Sequence, residues 1–377
     1  MRLIKSCGAC ALPLPDLGAK QCGSCKTGYC GPECQKQHWR EGGHDKLCKK
    51  IKKAGGAEQY YADKKCAEAI AVAVEECADD TKGQTCFICT QALHWKTKEG
   101  LVRGCSCRGT AGFAHVSCLV EQAKILCDEA EENNLSGEVL AERLVRWARC
   151  SQCKQDYHGV VKCALGWACW KTYVGRPETD RLRFNCAMAV LGNGLAAAKR
   201  PEDTLSVREA HLSTLRRLGA REGVILAAQS NVAITYQTLG RLEQALSMQR
   251  YVYSGRLNLY GEEHPDTVIA ANNCANTLVA LERFEEARSL LKKTTPVARR
   301  VLDDTDISTL RMRWNYAHAL YKADSATLDD VREAVATLEE TTRTAGRVLG
   351  PANPTAAGIE DDLRAARVAL RLGGRLS

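Results

Sequence analysis

Long apolar segments are missing from this 377-residue sequence. No uninterrupted apolar run approaches the roughly 18 residues that a membrane-spanning helix needs. The longest candidate, residues 66–78, is interrupted by acidic residues and predicts an amphipathic helix. The N-terminal stretch MRLIKSCGAC also lacks the apolar core of a secretory signal peptide. These absences predict an intracellular protein, in the cytoplasm or nucleus, that has no membrane partner.

Cysteine is nearly absent from the second half of the chain. Of 21 cysteines, only Cys274 lies beyond Cys186. Disulfide scaffolds are also rich in cysteine, but they belong to oxidising compartments. In a protein that is not secreted, cysteines in C-x2-C pairs favour metal ligation over disulfides.

The first cysteine-rich segment runs from Cys7 to Cys48 with the order C-x2-C-x11-C-x2-C-x4-C-x3-C-x9-H-x3-C. Eight ligands in alternating pairs predict two tetrahedral zinc sites, because a C-x2-C knuckle directs both sulfurs at one ion. A segment of about 40 residues cannot build a sufficient apolar core, so metal must supply folding energy.

This order, with YCGPECQKQHW and HDKLC as its text, resembles the MYND finger family over residues 7–48. The resemblance implies interleaved ligand sets. The first is Cys7, Cys10, Cys30 and Cys34, and the second is Cys22, Cys25, His44 and Cys48.

His38 is a rival ligand, but the H-x3-C spacing favours His44.

MYND fingers commonly bind proline-rich peptides, and the resemblance implies that Gln35 and Trp39 lie in the peptide groove. Trp39 can equally serve as a cover over the second zinc site.

The second cysteine-rich segment has the order C-x2-C-x15-C-x1-C-x7-H-x2-C-x31-C-x2-C. Two cross-braced zinc sites are again predicted. The first comprises Cys86, Cys89, His115 and Cys118, and the second comprises Cys105, Cys107, Cys150 and Cys153. Glycines 104, 109 and 112 around Arg108 permit the turns that so compact a stretch requires.

The arrangement resembles the RING-CH variant of RING fingers, with CRGTAGFAHVSC as its text. The PHD finger is the nearest rival, and the C-x1-C-x7-H spacing favours RING-CH. RING-CH domains recruit a ubiquitin-conjugating enzyme, and the resemblance implies contact roles for Ile88 and Lys154. Gln122 stands where the family often has a tryptophan, which counts against ligase activity, as does the lack of membrane helices.

A period of 42 residues organises the third segment. Its core pattern recurs at Asn231, Asn273 and Asn315, and a looser copy carries Asn185. A fixed period of this size predicts stacked helix pairs, since one pair cannot bury its own apolar face. Ala233, Ala275 and Ala317 are expected where neighbouring helices approach closely.

The repeated segment, including the GEEHPDT connector, resembles tetratricopeptide repeats of the kinesin-light-chain type. The asparagines are then expected on the concave face, where they bond either a bound peptide or only one another's helices.

The sequence thus predicts a mainly α protein in which two small cross-braced zinc fingers are joined to a helical solenoid. The expected segments are a MYND-type finger (1–50), a linker (51–82) that contains one helix over residues 57–80, a RING-CH-type finger (83–160) and TPR-like repeats (176–372).

Three functional hypotheses follow: a RING-CH-type ubiquitin ligase whose MYND finger or repeats select substrate, a non-catalytic adaptor for peptide segments, and, more weakly, a nucleic-acid binder. The formal charge of +8 falls to +2 once fourteen thiolates and four Zn²⁺ are counted. The basic stretch KLCKKIKKAGG (46–56) is expected to be a solvated helix face. Other proteins are therefore the expected partners, and nucleic acid is an unlikely one.

Overall fold

The computed structural model describes residues 7–10, 14, 19–175, 181–350 and 353–373, and these are mainly helical. The predicted start of the repeats at residue 176 lies outside the described residues. The elements, in chain order, are β1 (Lys20–Gln21), β2 (Gly28–Tyr29), α1 (Pro32–Arg40), α2 (His44–Lys53), α3 (Ala57–Glu76), α4 (Val116–Glu132), α5 (Gly137–Leu144), a 3₁₀ turn (Val145–Trp147), α6 (Gly159–Tyr173), α7 (Arg181–Ala197), α8 (Pro201–Arg217), α9 (Glu222–Thr238), α10 (Leu242–Tyr260), α11 (Pro265–Ala280), α12 (Phe284–Val301), α13 (Ile307–Lys322), α14 (Leu328–Leu349) and α15 (Pro354–Gly373).

The chain divides into two compact units, Met1–Leu215 and Arg216–Ser377. The first unit begins with a minimal antiparallel hairpin in which Lys20 pairs with Tyr29. Beside it, α1 and α2 enclose a core formed largely by cysteines, together with Tyr29 and Ile51. So small a core is consistent with a segment that needs metal to fold.

The linker helix α3 ends at Glu76, four residues before the predicted end at Asp80. Residues 77–80, which the sequence pattern had included in the helix, form turns instead. Helix α3 packs against α6.

The centre of the first unit is α6, which buries residues around most of its circumference. An α-helix that is apolar on every side belongs in a core. Gly166 and Gly194 lie where α6 and α7 meet: a Cβ on Gly194 would come within 2.7 Å of the Lys162 carbonyl oxygen. The two helices therefore approach each other more closely than larger residues would allow.

The second unit is a run of antiparallel helices in which sequential neighbours pack together. The alternate helices α9, α11, α13 and α15 also contact one another, so successive helix pairs stack. Ala233, Ala275 and Ala317 are fully buried, as the 42-residue period predicts. The helical-repeat architecture of this segment is confirmed.

The connectors between the repeat helices use the same backbone conformation at equivalent positions. Gly240 has a φ of 73°, and Glu282, 42 residues later, has a φ of 58°. Gly261 and Asp303 form a second such pair, with φ values of 83° and 77°. One repeat uses glycine where the next places a side chain in the left-handed region.

The Glu282→Gly substitution should stabilise the second unit. The left-handed conformation costs an L-residue about 1–2 kcal/mol, and glycine loses about 0.5–1 kcal/mol more entropy on folding, so the net gain should be about 0.5–1 kcal/mol. The reverse substitution, Gly240→Glu, should cost a similar amount. Both are measured by denaturant unfolding followed by circular dichroism, and a shift of the same sign for both variants would contradict the argument.

Candidate metal centres and peptide-binding surfaces

The first cluster joins Cys7, Cys10, Cys30 and Cys34. Cys7 and Cys10 flank a turn whose Gly8 N–H donates to the Gly28 carbonyl at 2.8 Å, and Cys34 lies in the first turn of α1. The sulfur of Cys30 lies 3.6 Å from those of Cys7 and Cys10 and 3.3 Å from that of Cys34.

The second cluster is fully buried and joins Cys22, Cys25, His44 and Cys48. His44 and Cys48 project from successive turns of α2, an i, i+4 spacing that places both on one helix face. The His44 Nε2 atom lies 3.4 Å from the Cys25 sulfur, and the Cys22 and Cys48 sulfurs are 3.8 Å apart.

The rival ligand His38 lies outside the second cluster. Its Nδ1 atom lies 3.1 Å from the Tyr29 hydroxyl, and its ring packs against His44 with centroids 4.9 Å apart. In this structure the His38 ring packs against the side of His44, the histidine of the second cluster.

The third cluster joins Cys86, Cys89, His115 and Cys118. The His115 Nδ1 atom lies 3.3 Å from the Cys89 sulfur and 3.6 Å from the Cys118 sulfur. The opposite ring nitrogen, Nε2, lies 3.3 Å from the Ala92 carbonyl oxygen, which orients the imidazole as metal-binding histidines require. Burial lowers the pKa of His115 and thus favours the neutral ring that can bind a cation.

The fourth cluster joins Cys105, Cys107, Cys150 and Cys153. Gly112, with a φ of 85°, makes room for it: a Cβ there would lie 2.7 Å from Cys107 Cβ and 3.0 Å from the Cys105 sulfur. Gly109 is also left-handed, with a φ of 61°, whereas Gly104 serves packing, because a Cβ there would clash with Val161.

In every cluster the ligand atoms lie within 4.8 Å of one another. Burial alone would raise the pKa of Cys7, but the backbone N–H groups of Cys10 and Cys30 outweigh it and lower the pKa to about 6. The adjacent Cys30 thiol raises the pKa of Cys34 to about 12. Like charges this close cannot all form without a compensating cation. The four clusters can therefore hold metal ions.

The candidate contact residues of the two cysteine-rich segments lie at the surface. Trp39 is 49% exposed, yet its ring centroid is 5.6 Å from that of His44, so it both touches the second cluster and faces solvent. Gln35 on α1 is half-buried. Ile88 is 36% exposed, and Lys154 is exposed on a left-handed backbone position, its ammonium group donating to the Ser151 carbonyl.

The asparagines of the repeats bond within the solenoid. The Asn273 amide donates to the Ser230 hydroxyl at 3.3 Å, and the Asn315 amide donates to the Asn272 side-chain oxygen at 3.4 Å. Asn231 occupies the equivalent position on α9. Asn185 lies on α7 in the first unit, and its side-chain oxygen is buried with no hydrogen-bond partner in the described part of the chain. The bond of Asn273 therefore connects α11 to α9, and the bond of Asn315 connects α13 to α11.

Sequence reasoning missed two exposed apolar side chains beside the third cluster. Trp95 is 67% exposed and Leu93 is 58% exposed, in the loop that also carries the Ala92 carbonyl. A tryptophan in an irregular stretch between ligand pairs was the signal available, but irregular segments give no periodicity from which exposure can be inferred.

Residues 224–300 match the family model for the tetratricopeptide repeat, which confirms the predicted repeat type in that segment. Helices α10 and α11 lie entirely within this range, and α12 lies within it except for its last residue, Val301. No curated protein matches the chain significantly. Across the described residues, no helix is both long and apolar enough to cross a bilayer.

Several solved structures resemble the chain. A putative kinesin light chain with TPR-like repeats from Podosopora anserina is 19% identical, with 62% of this chain and 97% of that chain covered and a TM-score of 0.39. BtubC (BKLC) from P. vanneervenii is 16% identical, covering 68% and 90% of the two chains, with a TM-score of 0.38. A Rap protein in complex with competence and sporulation factor is 14% identical, covering 68% and 72%, with a TM-score of 0.38.

Replacing one ligand should remove one metal ion. We expect the Cys105→Ser variant to bind three ions instead of the four that the clusters can hold, and to unfold at lower denaturant concentration. Cys274→Ser is the matched control, because Cys274 is also buried but lies outside every cluster. Metal content is measured by elemental analysis under reducing conditions; equal metal loss in both variants would contradict the assignment.

Proposed function

We propose that the chain is a zinc-stabilised adaptor that binds peptide segments of other proteins. The observation that carries the proposal is the combination of tetratricopeptide repeats at 224–300 with four closed Cys/His clusters. Tetratricopeptide repeats form extended surfaces for protein binding.

Zinc is the proposed metal. Sets of four cysteines, or of three cysteines and one histidine, suit tetrahedral Zn²⁺, and four protein ligands leave no position for a reacting water. The ions are therefore structural, and function lies on the surfaces that they hold in place. We infer a MYND-type finger for residues 1–50 and a RING-CH-type finger for residues 83–160 from their ligand order.

The first proposed peptide-binding surface is formed by Gln35 and Trp39. Trp39 exposes nearly half of its surface beside Gln35, and aromatic side chains are enriched at protein interfaces. The position of Trp39 against His44 fixes the ring, which reduces the entropy lost on binding.

The second proposed peptide-binding surface is the inner face of the repeats. One N–H of the Asn273 amide donates to Ser230, and within the described residues its second N–H and its carbonyl oxygen are left for a peptide backbone. The intramolecular bond would then orient the group for binding.

Trp39→Ala should weaken binding of proline-rich peptides at least tenfold, since a buried interface tryptophan contributes about 2 kcal/mol or more. A panel of such peptides, titrated against the zinc-loaded full chain by fluorescence anisotropy, measures this. Trp95→Ala is the matched control, as another exposed tryptophan on a different surface. Equal losses in both variants, or no binding by any peptide, would refute the MYND-type surface.

A second candidate function is ubiquitin ligation by the RING-CH-type finger. The exposure of Ile88 on its metal-binding knuckle favours it, because this is the position where the resemblance places the conjugating enzyme. The Ile88 N–H donates to the Cys86 sulfur at 3.4 Å, so the loop that presents Ile88 is held by the metal ligand.

Ile88→Ala should then reduce discharge of a ubiquitin-charged conjugating enzyme about tenfold, with the full chain and a broad panel of conjugating enzymes in the assay. Leu135→Ala is the control, since Leu135 is similarly exposed at 40% in the same segment. Absence of any acceleration by the wild-type chain would leave the adaptor as the function.

A further inference from the structure

A groove of about 600 Å³ lies along one side of α3 in the first unit. Its floor follows one face of the helix: Asp63, Cys66, Ala67, Ile70, Ala71, Val74 and Glu75. Residues spaced by three and four share one face of a helix. Thirteen residues of helix span about 18 Å, which is three to four turns.

The opposite wall is the loop 97–100. Gly100 allows it to approach, because a Cβ there would lie 2.7 Å from a methyl group of Val74. Ala67 and Ala71 are exposed on the floor, whereas Ile70 and Val74 are half-buried. The result is an open channel whose floor on α3 is apolar between Asp63 and Glu75 and whose wall, the loop 97–100, is largely polar.

Most polar groups of the groove are already paired. Asp63 accepts a hydrogen bond from Gln59 at 3.1 Å and pairs with Lys171 at 3.3 Å. Glu99 accepts from the Ser117 N–H and hydroxyl, each at 2.7 Å. A bound partner that covers these groups would therefore leave few buried donors or acceptors without a hydrogen bond. Such unpaired groups are the main cost of burying polar atoms.

Two charges remain available. Glu75 lies at one end of the α3 floor and Lys98 lies on the loop wall, and neither forms an ion pair within the residues that the structure describes. An occupant that matches this groove is apolar along its length and carries a base toward Glu75 and an acid toward Lys98.

We propose that this groove binds an amphipathic helix of a partner protein, with aliphatic residues at i, i+3 or i+4, and i+7. Helix-in-groove binding uses this spacing. The length of the floor suits a helix of three to four turns better than a compact small molecule. The groove contains no metal ligand and none of the residues proposed above for peptide binding, so it is a separate interaction surface.

The probe is a phage-displayed library of 16-residue helical peptides, selected on the zinc-loaded full chain. We expect enriched peptides to share the aliphatic spacing and to carry an acid. The tightest, synthesised with a fluorophore, should bind at least tenfold more weakly to Ala71→Trp, which fills the groove. Val72→Trp is the matched control: Val72 is exposed beside Ala71 but does not line the groove, so affinity should change less than twofold.

A charge exchange tests the polar contact. Lys98→Glu should weaken the acid-bearing peptide about tenfold, and replacing that acid with lysine in the peptide should restore binding. Ala67→Glu serves as a second blocking variant, and unchanged zinc content and thermal stability must accompany each loss.

Three results would overturn the proposal: no enrichment of helical peptides, enriched peptides that bind Ala71→Trp as well as wild type, or self-association of the chain that Ala71→Trp abolishes, which would make a second copy the occupant. Trp39→Ala should leave this binding unchanged. Failure here is thus distinguishable from failure of the proposed MYND-type surface.

Discussion

The two cysteine-rich segments depend on relief of the electrostatic repulsion among their own sulfurs. Each cluster gathers three or four thiol groups within 4.8 Å, and the first cysteine of three ligand pairs, Cys7, Cys22 and Cys86, has its pKa lowered by backbone N–H groups although burial opposes ionisation. The knuckle thus favours a thiolate before any cation arrives. A cation would resolve the repulsion, and the strand structure beside the clusters is small: a two-residue hairpin and two isolated bridges among the described residues. In the first cysteine-rich segment, whose core is formed largely by its cysteines, a metal ion would supply what a larger apolar core supplies elsewhere.

The Cys/His groupings were accessible from sequence in two steps, because each pair is local and the spacing between pairs resembles that of known finger families. A pair such as Cys22 and Cys25 closes a knuckle through contacts a few residues apart, and the interleaved sets that the MYND resemblance implies are the ones that the structure brings together. The repeats could also be predicted from sequence. A 42-residue period places Ala233, Ala275 and Ala317 in equivalent environments, and all three are buried. The repeat period and the spacing of the ligand pairs can both be read from the sequence alone.

Other features depend on long-range packing and could not be predicted. The close approach of α6 and α7 through Gly166 and Gly194 joins residues of two helices, and nothing in either helix alone requires it. The loop wall beside α3 is set by Gly100 against Val74, from segments 26 residues apart. Asn273 and Asn315 each bond to the equivalent helix of the preceding repeat, but the period alone left open whether these amides faced a ligand or their neighbours.

The short connection between α2 and α3 has a consequence for multivalent binding. Helix α2 ends at Lys53, α3 begins at Ala57, and the two helices contact each other, while α3 is also held against α6. The two cysteine-rich segments are therefore not joined by a flexible linker. Once a partner chain binds one of these segments, the fixed distance to the other segment, rather than the flexibility of a linker, sets the effective concentration for the second contact. Avidity of this kind selects for spacing as well as for sequence, so two weak contacts can discriminate between partners that each contact alone would accept.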